Sequence, residues 1–296
     1  MKQQLKRILR GLADFALQPV LENQAGVSKE LQILLHLRYK EMIHVGALLP
    51  GFEDLGFNVF SNTNEDGILL YIFSIIGMKN RACVDIGAGR VTGSNTANLI
   101  INHDFRALLI DGNEADIRAS RSFYQRHPET RRLPPTCMAQ MITQENVNSI
   151  LSTGGFRGEI DLLSIDIDGM DYWIWKAIDV VEPHAVVIEY QSILGPERSW
   201  TVPYKPDFNY SAYEVNRELP NYSGASLRAL AKLGREKGYR LVGCNRGDWN
   251  AFFVRVGIGE AHLPEVSVEN CFAHPLSKAS AEKRFPLVQN MPWQEV

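Results

Sequence analysis

With 296 residues and 45% apolar side chains, the chain is long enough for one large α/β domain plus an accessory segment, and disorder is excluded as the starting point. Basic residues number 31 against 34 acids, a net charge of -3, so no global basic field argues for nucleic acid as a partner. No apolar stretch approaches the roughly 20 residues that a bilayer span needs, and Cys83, Cys137, Cys244 and Cys271 share no metal or redox spacing, which predicts a soluble protein of the reducing cytoplasm.

In chain order, Leu5, Ile8, Leu9, Leu12 and Phe15 recur at helical spacing between Lys2, Lys6, Arg7 and Arg10, and "KELQILLHLRYKEMI" from Lys29 repeats the pattern. Residues 1–60 are therefore read as an N-terminal helical segment that packs on the domain or on a second subunit of a homodimer. Pro50 and Gly51 break the pattern, and "EDGILLYIFSIIG" predicts a helix ending at Gly77.

From Arg81 the rhythm becomes strand and helix in alternation. "ACVDIG", "RALLIDGN", "PTCMAQMI", "EIDLLSID" and "HAVVIEY" read as strands, and the segments between them as amphipathic helices. Such near-continuous apolar strands are what a parallel sheet covered on both faces requires. Residues 191–223 interrupt the rhythm with prolines and aromatics, too long for an ordinary connection, and are read as a packed lid over substrate. "SLRALAKLGREKG" is a helix capped by Ser226 and ended by Gly238; "YRLVGCN" and "NAFFVRV" form an antiparallel hairpin. The tail, 257–296, reads as irregular.

Three places carry candidate chemistry. "VDIGAGRVTGSNT" follows the first strand and opens a helix, with Gly87 and Gly89 permitting close backbone approach to a ligand and Asp85 offering an acceptor. The dinucleotide pattern GxGxxG would need glycine at position 92, which is Thr92. Asp111 ends the second strand, where a carboxylate commonly accepts two ribose hydroxyls. Asp166, Asp168 and Asp171 cluster behind the fourth strand and Glu189 ends the fifth, so Asp166, Asp168 and Glu189 converge at the edge where open α/β sheets bind ligands. Carboxylates this close repel unless they share a cation or proton, and hard oxygen donors without paired His or Cys point to Mg²⁺. Without a metal, Asp168 is the candidate general base; Asp171 is open to a plain helix-capping role.

The order of these elements resembles the class I S-adenosylmethionine-dependent methyltransferases over residues 61–256. More narrowly, "SNTNEDGILLYIF", "LSIDIDGMDYWIWKAI", "VVIEYQSILGP" and "GASLRALAKLGREKGYRLVGCN" look like the FkbM-type subgroup. The resemblance implies a Rossmann-like α/β fold with a seven-stranded, mostly parallel sheet, an antiparallel last strand and helices on both faces. It also implies S-adenosylmethionine as cofactor, with Asp85, Gly87 and Gly89 around the methionine moiety, Ser94 or Asn95 at the following helix start, Asp111 and Gly112 at the ribose, and Gln140, Met141 or Ile142 beside the adenine. Asp166 is then a third metal ligand or a contact to the cofactor's amino group. The expected reaction is O-methylation of a glycan or natural product. Candidate acceptor contacts are Glu65, Trp173, Tyr190, Trp200 and Tyr204, while Glu65 and Asp66 equally suit a first helical turn. The loop departs from the family's DxGxGxG signature, with Val91 at the third glycine. A nicotinamide-dependent oxidoreductase and a catalytically silent binding or assembly protein on the same fold are the alternatives.

Overall fold

The computed structural model describes residues 27–213, 222–247, 249–272 and 275–296. The basic amphipathic stretch from Leu5 to Phe15 lies outside them. Helix α1 (Lys29–His44) is capped by Ser28 and docks on the domain through polar groups. Fully buried Gln32 donates from Nε2 to Val27 O (2.9 Å) and Asn98 Oδ1 (3.1 Å) and shares its Oε1 with Asn98 Nδ2 and His103 Nε2, while Leu34 and Leu37 of the same helix stay exposed.

The remaining elements follow the alternating rhythm of the sequence: α2 (Glu65–Ile76), β1 (Ala82–Ile86), α3 (Ala97–Asn102), β2 (Arg106–Asp111), α4 (Glu114–Arg126), β3 (Thr136–Ala139), α5 (Val147–Thr153), β4 (Gly158–Ile165), α6 (Asp171–Ala177) and β5 (Val181–Glu189). A two-residue strand β6 (Trp200–Thr201) lies in the insertion, and α7 (Leu227–Glu236), β7 (Tyr239–Cys244) and β8 (Asn250–Arg255) close the domain. The seven-stranded sheet has the order β3-β2-β1-β4-β5-β8-β7. Strands β1 to β5 are parallel, and β8 inserts antiparallel between β5 and β7. This is the Rossmann-like arrangement with an antiparallel last strand.

Because strand side chains alternate between faces, each strand splits its apolar residues between two cores. Val84, Ile86, Leu163, Ile165 and Ile188 pack with α5, α6 and α7 through Ile150, Trp175 and Leu230. Cys83, Leu109, Leu162, Val187 and Phe252 pack on the other face with Ile68 and Ile72 of α2 and Leu99 of α3. Carried to the C-terminal ends of the parallel strands and to the start of antiparallel β8, the same period puts Asp85, Ser164, Asp166, Glu189 and Asn250 on the α2 face. The apolar core there gives way to a polar layer beneath the start of α2.

Two readings of the sequence change. Strand β5 begins at Val181, pairing with Gly158, three residues before the "HAVVIEY" run, so His184 lies in the strand's interior rather than at its start. Its Nδ1 stands 3.1 Å from buried Asp161 Oδ1 at the edge opposite the Asp166 cluster. The tail is not irregular: α8 (Val268–Cys271) and α9 (Pro275–Val288) precede β9 (Gln294–Glu295), which pairs antiparallel with β6 of the insertion. Local sequence did not show this because a two-residue strand has no periodicity of its own. No helix among the described residues is long and apolar enough to cross a membrane.

Candidate active site

A cleft of about 960 Å³ opens at the C-terminal edge of the sheet, over the point where the strand order reverses between β1 and β4. The glycine loop after β1 forms one wall. Gly87 (φ +84°) could bear no side chain, because a Cβ there would fall 1.7 Å from the Asp166 carbonyl oxygen. The Gly87 and Ala88 amides donate to Ile110 O at 2.8 and 3.0 Å, folding the loop over the end of β2. There the Asp111 carboxylate accepts from the Gly89 amide (2.8 Å) and the Asn113 amide (2.6 Å). Each oxygen keeps a further lone pair for a ligand. Gly112, Gln140, Met141 and Ile142 line the next stretch, and Asp166, Ile167, Asp168 and Met170 the far end.

The acids gather by register. Ile165 pairs with Ile188, so Asp166 and Glu189 leave adjacent strands side by side. One carboxylate oxygen from each of Asp166, Asp168 and Glu189 lies within 4.8 Å of the others. Asp168 reaches the group through a left-handed backbone (φ +56°), a conformation that costs energy outside glycine and concentrates at functional sites. Buried Asp171 braces this turn, accepting from the Ile167 and Gly169 amides at 2.9 Å each. It is the first residue of α6 rather than its cap, which is Met170.

Burial, then repulsion from Asp171, Asp168, Asp85 and Glu65, pushes the Asp166 carboxyl well above its ordinary range. Burial and repulsion from Asp166, Asp171 and Asp168 do the same to Glu189, against a smaller opposing contribution from the Asp168 amide. Asp171 is pushed up to about 6, chiefly by burial. Asp168 is raised by burial and by Asp111. Three hard oxygen donors crowded at mutually unfavourable charge fit a divalent cation or shared protons.

Several sequence-designated residues stand elsewhere. Asp85 is 2% exposed beneath the loop, and its Oδ2 accepts from Ser94 Oγ (3.1 Å) and Thr96 Oγ1 (2.7 Å). Ser94 Oγ in turn accepts from the Thr96 and Ala97 amides. Asp85, Ser94 and buried Asn95 thus do not line the cleft; the acid and serine tie the glycine loop to the start of α3. The expected acceptor contacts are also displaced. Glu65 is fully buried and receives four hydrogen bonds from Thr63, Asn245 and Asn250. Trp173 is buried with its Nε1 donating to Val202 O (2.8 Å), and Tyr190 is buried edge-on to Phe272. Trp200 packs near Phe285, and the Tyr204 hydroxyl donates to Glu145 at 2.7 Å. None of these five lines the cleft.

In their place the insertion supplies Pro206 to Ser211, with Phe208 and Tyr210 as its aromatic lining. Asn62 completes the wall beside Gly93. It is held there because Asp66 Oδ2 gathers the Val59, Phe60 and Ser61 amides (2.7 to 3.0 Å) and Phe60 O accepts from the Gly93 amide (2.6 Å). The motif "SNTNEDG" signalled this contact; the residue that makes it is the asparagine rather than the glutamate.

No protein-family model matches this chain, and no curated protein sequence does. Among solved structures it is similar to the magnesium protoporphyrin IX methyltransferase of Synechocystis PCC 6803 with bound SAM (TM-score 0.40, 10% identity, over 64% of this chain and 77% of that one). It is also similar to an O-methyltransferase family protein from Burkholderia thailandensis (0.39, 12%, 84% and 70%). A third similar structure is the mitomycin 7-O-methyltransferase MmcR (0.36, 13%, 86% and 84%).

Proposed function

We propose that this chain is an S-adenosylmethionine-dependent methyltransferase that methylates a hydroxyl oxygen of a small-molecule or glycan acceptor. The observation that carries the reading is the continuous wall from the glycine loop through Asp111 to the carboxylates Asp166, Asp168 and Glu189. It offers a hydroxyl acceptor at one end and proton or cation acceptors at the other. The FkbM-type subgroup is the finer assignment, supported by the four sequence stretches quoted above.

Bound S-adenosylmethionine supplies an electrophilic methyl on a sulfonium leaving group. The chain then needs to do little more than align and activate an oxygen. Asp111 would accept ribose hydroxyls with its remaining lone pairs, while Gly87 and Gly89 would admit the methionine portion close to the backbone. Met141 and Ile142 would give the adenine apolar surface. Asp168, the most exposed of the three acids, is the group that would take the proton of an acceptor hydroxyl brought to this end of the cleft. Asp166, Asp168 and Glu189 are also the residues that would hold a divalent cation, which when bound lowers the pKa of a hydroxyl.

Calorimetric titration of chelator-stripped protein with S-adenosylhomocysteine tests the reading. Micromolar binding is expected, weakened about tenfold or more in Asp111→Ala through loss of charge-assisted hydrogen bonds. A separate Mg²⁺ heat that disappears in Asp168→Ala would support the cation. No binding to folded wild-type protein would overturn the assignment and favour a silent fold, and nicotinamide oxidation followed by absorbance would favour an oxidoreductase.

A further inference from the structure

Four aromatic side chains connect the far end of the chain to the acid cluster. Trp293 meets Tyr222 edge-on, with ring centroids 4.7 Å apart, and the Tyr222 hydroxyl donates to Pro292 O at 2.9 Å. Tyr222 meets Tyr213 edge-on at 5.1 Å, and Tyr213 stacks on Phe208 at 5.7 Å with an interplanar angle of 13°. Phe208 lines the cleft and lies so close over Gly169 that a Cβ at that glycine would fall 2.4 Å from the Phe208 ring. Gly169 directly follows Asp168, whose own backbone is held in the left-handed region.

The outer end of this ladder is fixed independently. Trp293 Nε1 donates to Val288 O at 2.9 Å, and Gln294 and Glu295 pair with Thr201 and Trp200. The Val296 amide donates to Ser199 O (2.9 Å) and the Ser199 hydroxyl to Val296 O (2.6 Å). The cleft end has no comparable regular structure: of residues 202–213, only a 3-10 turn at 210–213 is hydrogen-bonded into a helix or strand. Their placement over the cleft therefore rests on ring packing and isolated contacts such as the Lys205 amide to Met170 Sδ. An element with few backbone bonds of its own sits at the low-stability end of a fold unless something outside holds it.

We infer that Trp293 is a positioning residue for the active site: through Tyr222, Tyr213 and Phe208 it sets the cleft wall and the turn that carries Asp168. It does not touch the cleft itself. The inference that this alignment serves cofactor binding rests on the methyltransferase reading; the mechanical coupling does not.

Hydrogen exchange read by mass spectrometry, together with S-adenosylhomocysteine titration, separates the two. In Trp293→Ala, exchange in peptides covering 204–213 and 166–171 should rise about tenfold, while peptides of β1, β4 and α2 stay protected as in wild type. Affinity for S-adenosylhomocysteine should fall about tenfold, equivalent to about 1.4 kcal/mol and to one lost aromatic contact. Trp293→Phe, which keeps an edge-on ring, should recover most of both. Should Trp293→Ala fail to fold, Tyr222→Phe removes only the hydrogen bond to Pro292 and should raise exchange in the same two peptides by a smaller factor. Unchanged exchange at 166–171 in a folded Trp293→Ala protein overturns the inference, as does a Trp293→Phe protein as loosened as the alanine variant. Wild-type protein that shows the coupling but binds no S-adenosylhomocysteine would overturn the proposed function and leave the positioning standing.

Discussion

Glu65→Ala is expected to lower unfolding free energy by about 2–4 kcal/mol, the scale for leaving several buried neutral donors without their acceptor. The Glu65 carboxylate is fully buried and accepts from the Thr63 amide (2.8 Å), Thr63 Oγ1 (2.9 Å), Asn245 Nδ2 (2.6 Å) and Asn250 Nδ2 (3.2 Å). Alanine would leave those donors without an acceptor where water cannot easily replace it, and each orphaned buried donor costs about 1–3 kcal/mol. The bonds also join the start of α2 to the β7–β8 hairpin, distant in sequence. Glu65→Gln, which keeps one carbonyl oxygen, should lose distinctly less. As a control, Glu129→Ala removes only an exposed pair with Lys29 and should stay within about 0.5 kcal/mol. Urea denaturation checks all three, and a Glu65→Ala loss below about 1 kcal/mol would mean that the network is not the clamp described.

Chelator-treated protein should be more stable near pH 6.5 than near pH 8, and Mg²⁺ should flatten that slope. The sign follows from linkage. Asp166, Glu189 and Asp171 have folded pKa values above their unfolded ones, so the native state holds their protons more tightly. Their contribution is full below the unfolded value near 4 and is lost as pH rises through the folded values. For Asp171, raised to about 6, the loss amounts to about 3 kcal/mol and falls mostly below pH 6. Asp166 and Glu189, raised well above the ordinary carboxyl range, contribute in the same direction as pH rises. Asp66 and Asp85, raised by burial, add in the same direction. His103, pushed by burial down to about 4, acts oppositely between about pH 6.5 and 4, which is why the comparison is made above that window. The Mg²⁺-dependent part belongs to the acids that face the cleft. Thermal melts across pH with EDTA or Mg²⁺ measure it; a flat profile in EDTA with no Mg²⁺ response would remove the case for a cation among these carboxylates.

Strand and helix order were legible because short apolar runs such as "ACVDI" and "DLLSI" alternate with amphipathic segments, as double-covered parallel strands do, and their ends announce themselves by a sudden change to Gly and Asp. The convergence of Asp166, Asp168 and Glu189 was legible for the same reason, since strand ends in a parallel sheet share an edge. Assigning individual polar residues was harder. Asp85 and Glu65 look like ligands in a one-dimensional pattern, yet both lie under the surface, where Asp85 Oδ2 accepts from Ser94 and Thr96 and the Glu65 oxygens accept from Thr63, Asn245 and Asn250. Whether a carboxylate at a strand tip faces the cleft or the layer beneath it depends on which loop folds across it, and that loop comes from elsewhere in the chain.

The sequence by itself determined the α/β class, the parallel sheet with its antiparallel closing strand, the glycine turn and the clustering of acids, because these follow from local periodicity and from the handedness and edge rules of parallel sheets. Tertiary structure alone decided that Asn62, Phe208 and Tyr210 line the cleft while Trp173, Tyr190, Trp200 and Tyr204 do not. It alone turned the tail into the anchor of the insertion. These contacts join segments up to about a hundred residues apart through single rings and two-residue strands. Their free energy comes from mutual burial and pairing, so neither partner's local sequence carries a sign of the other.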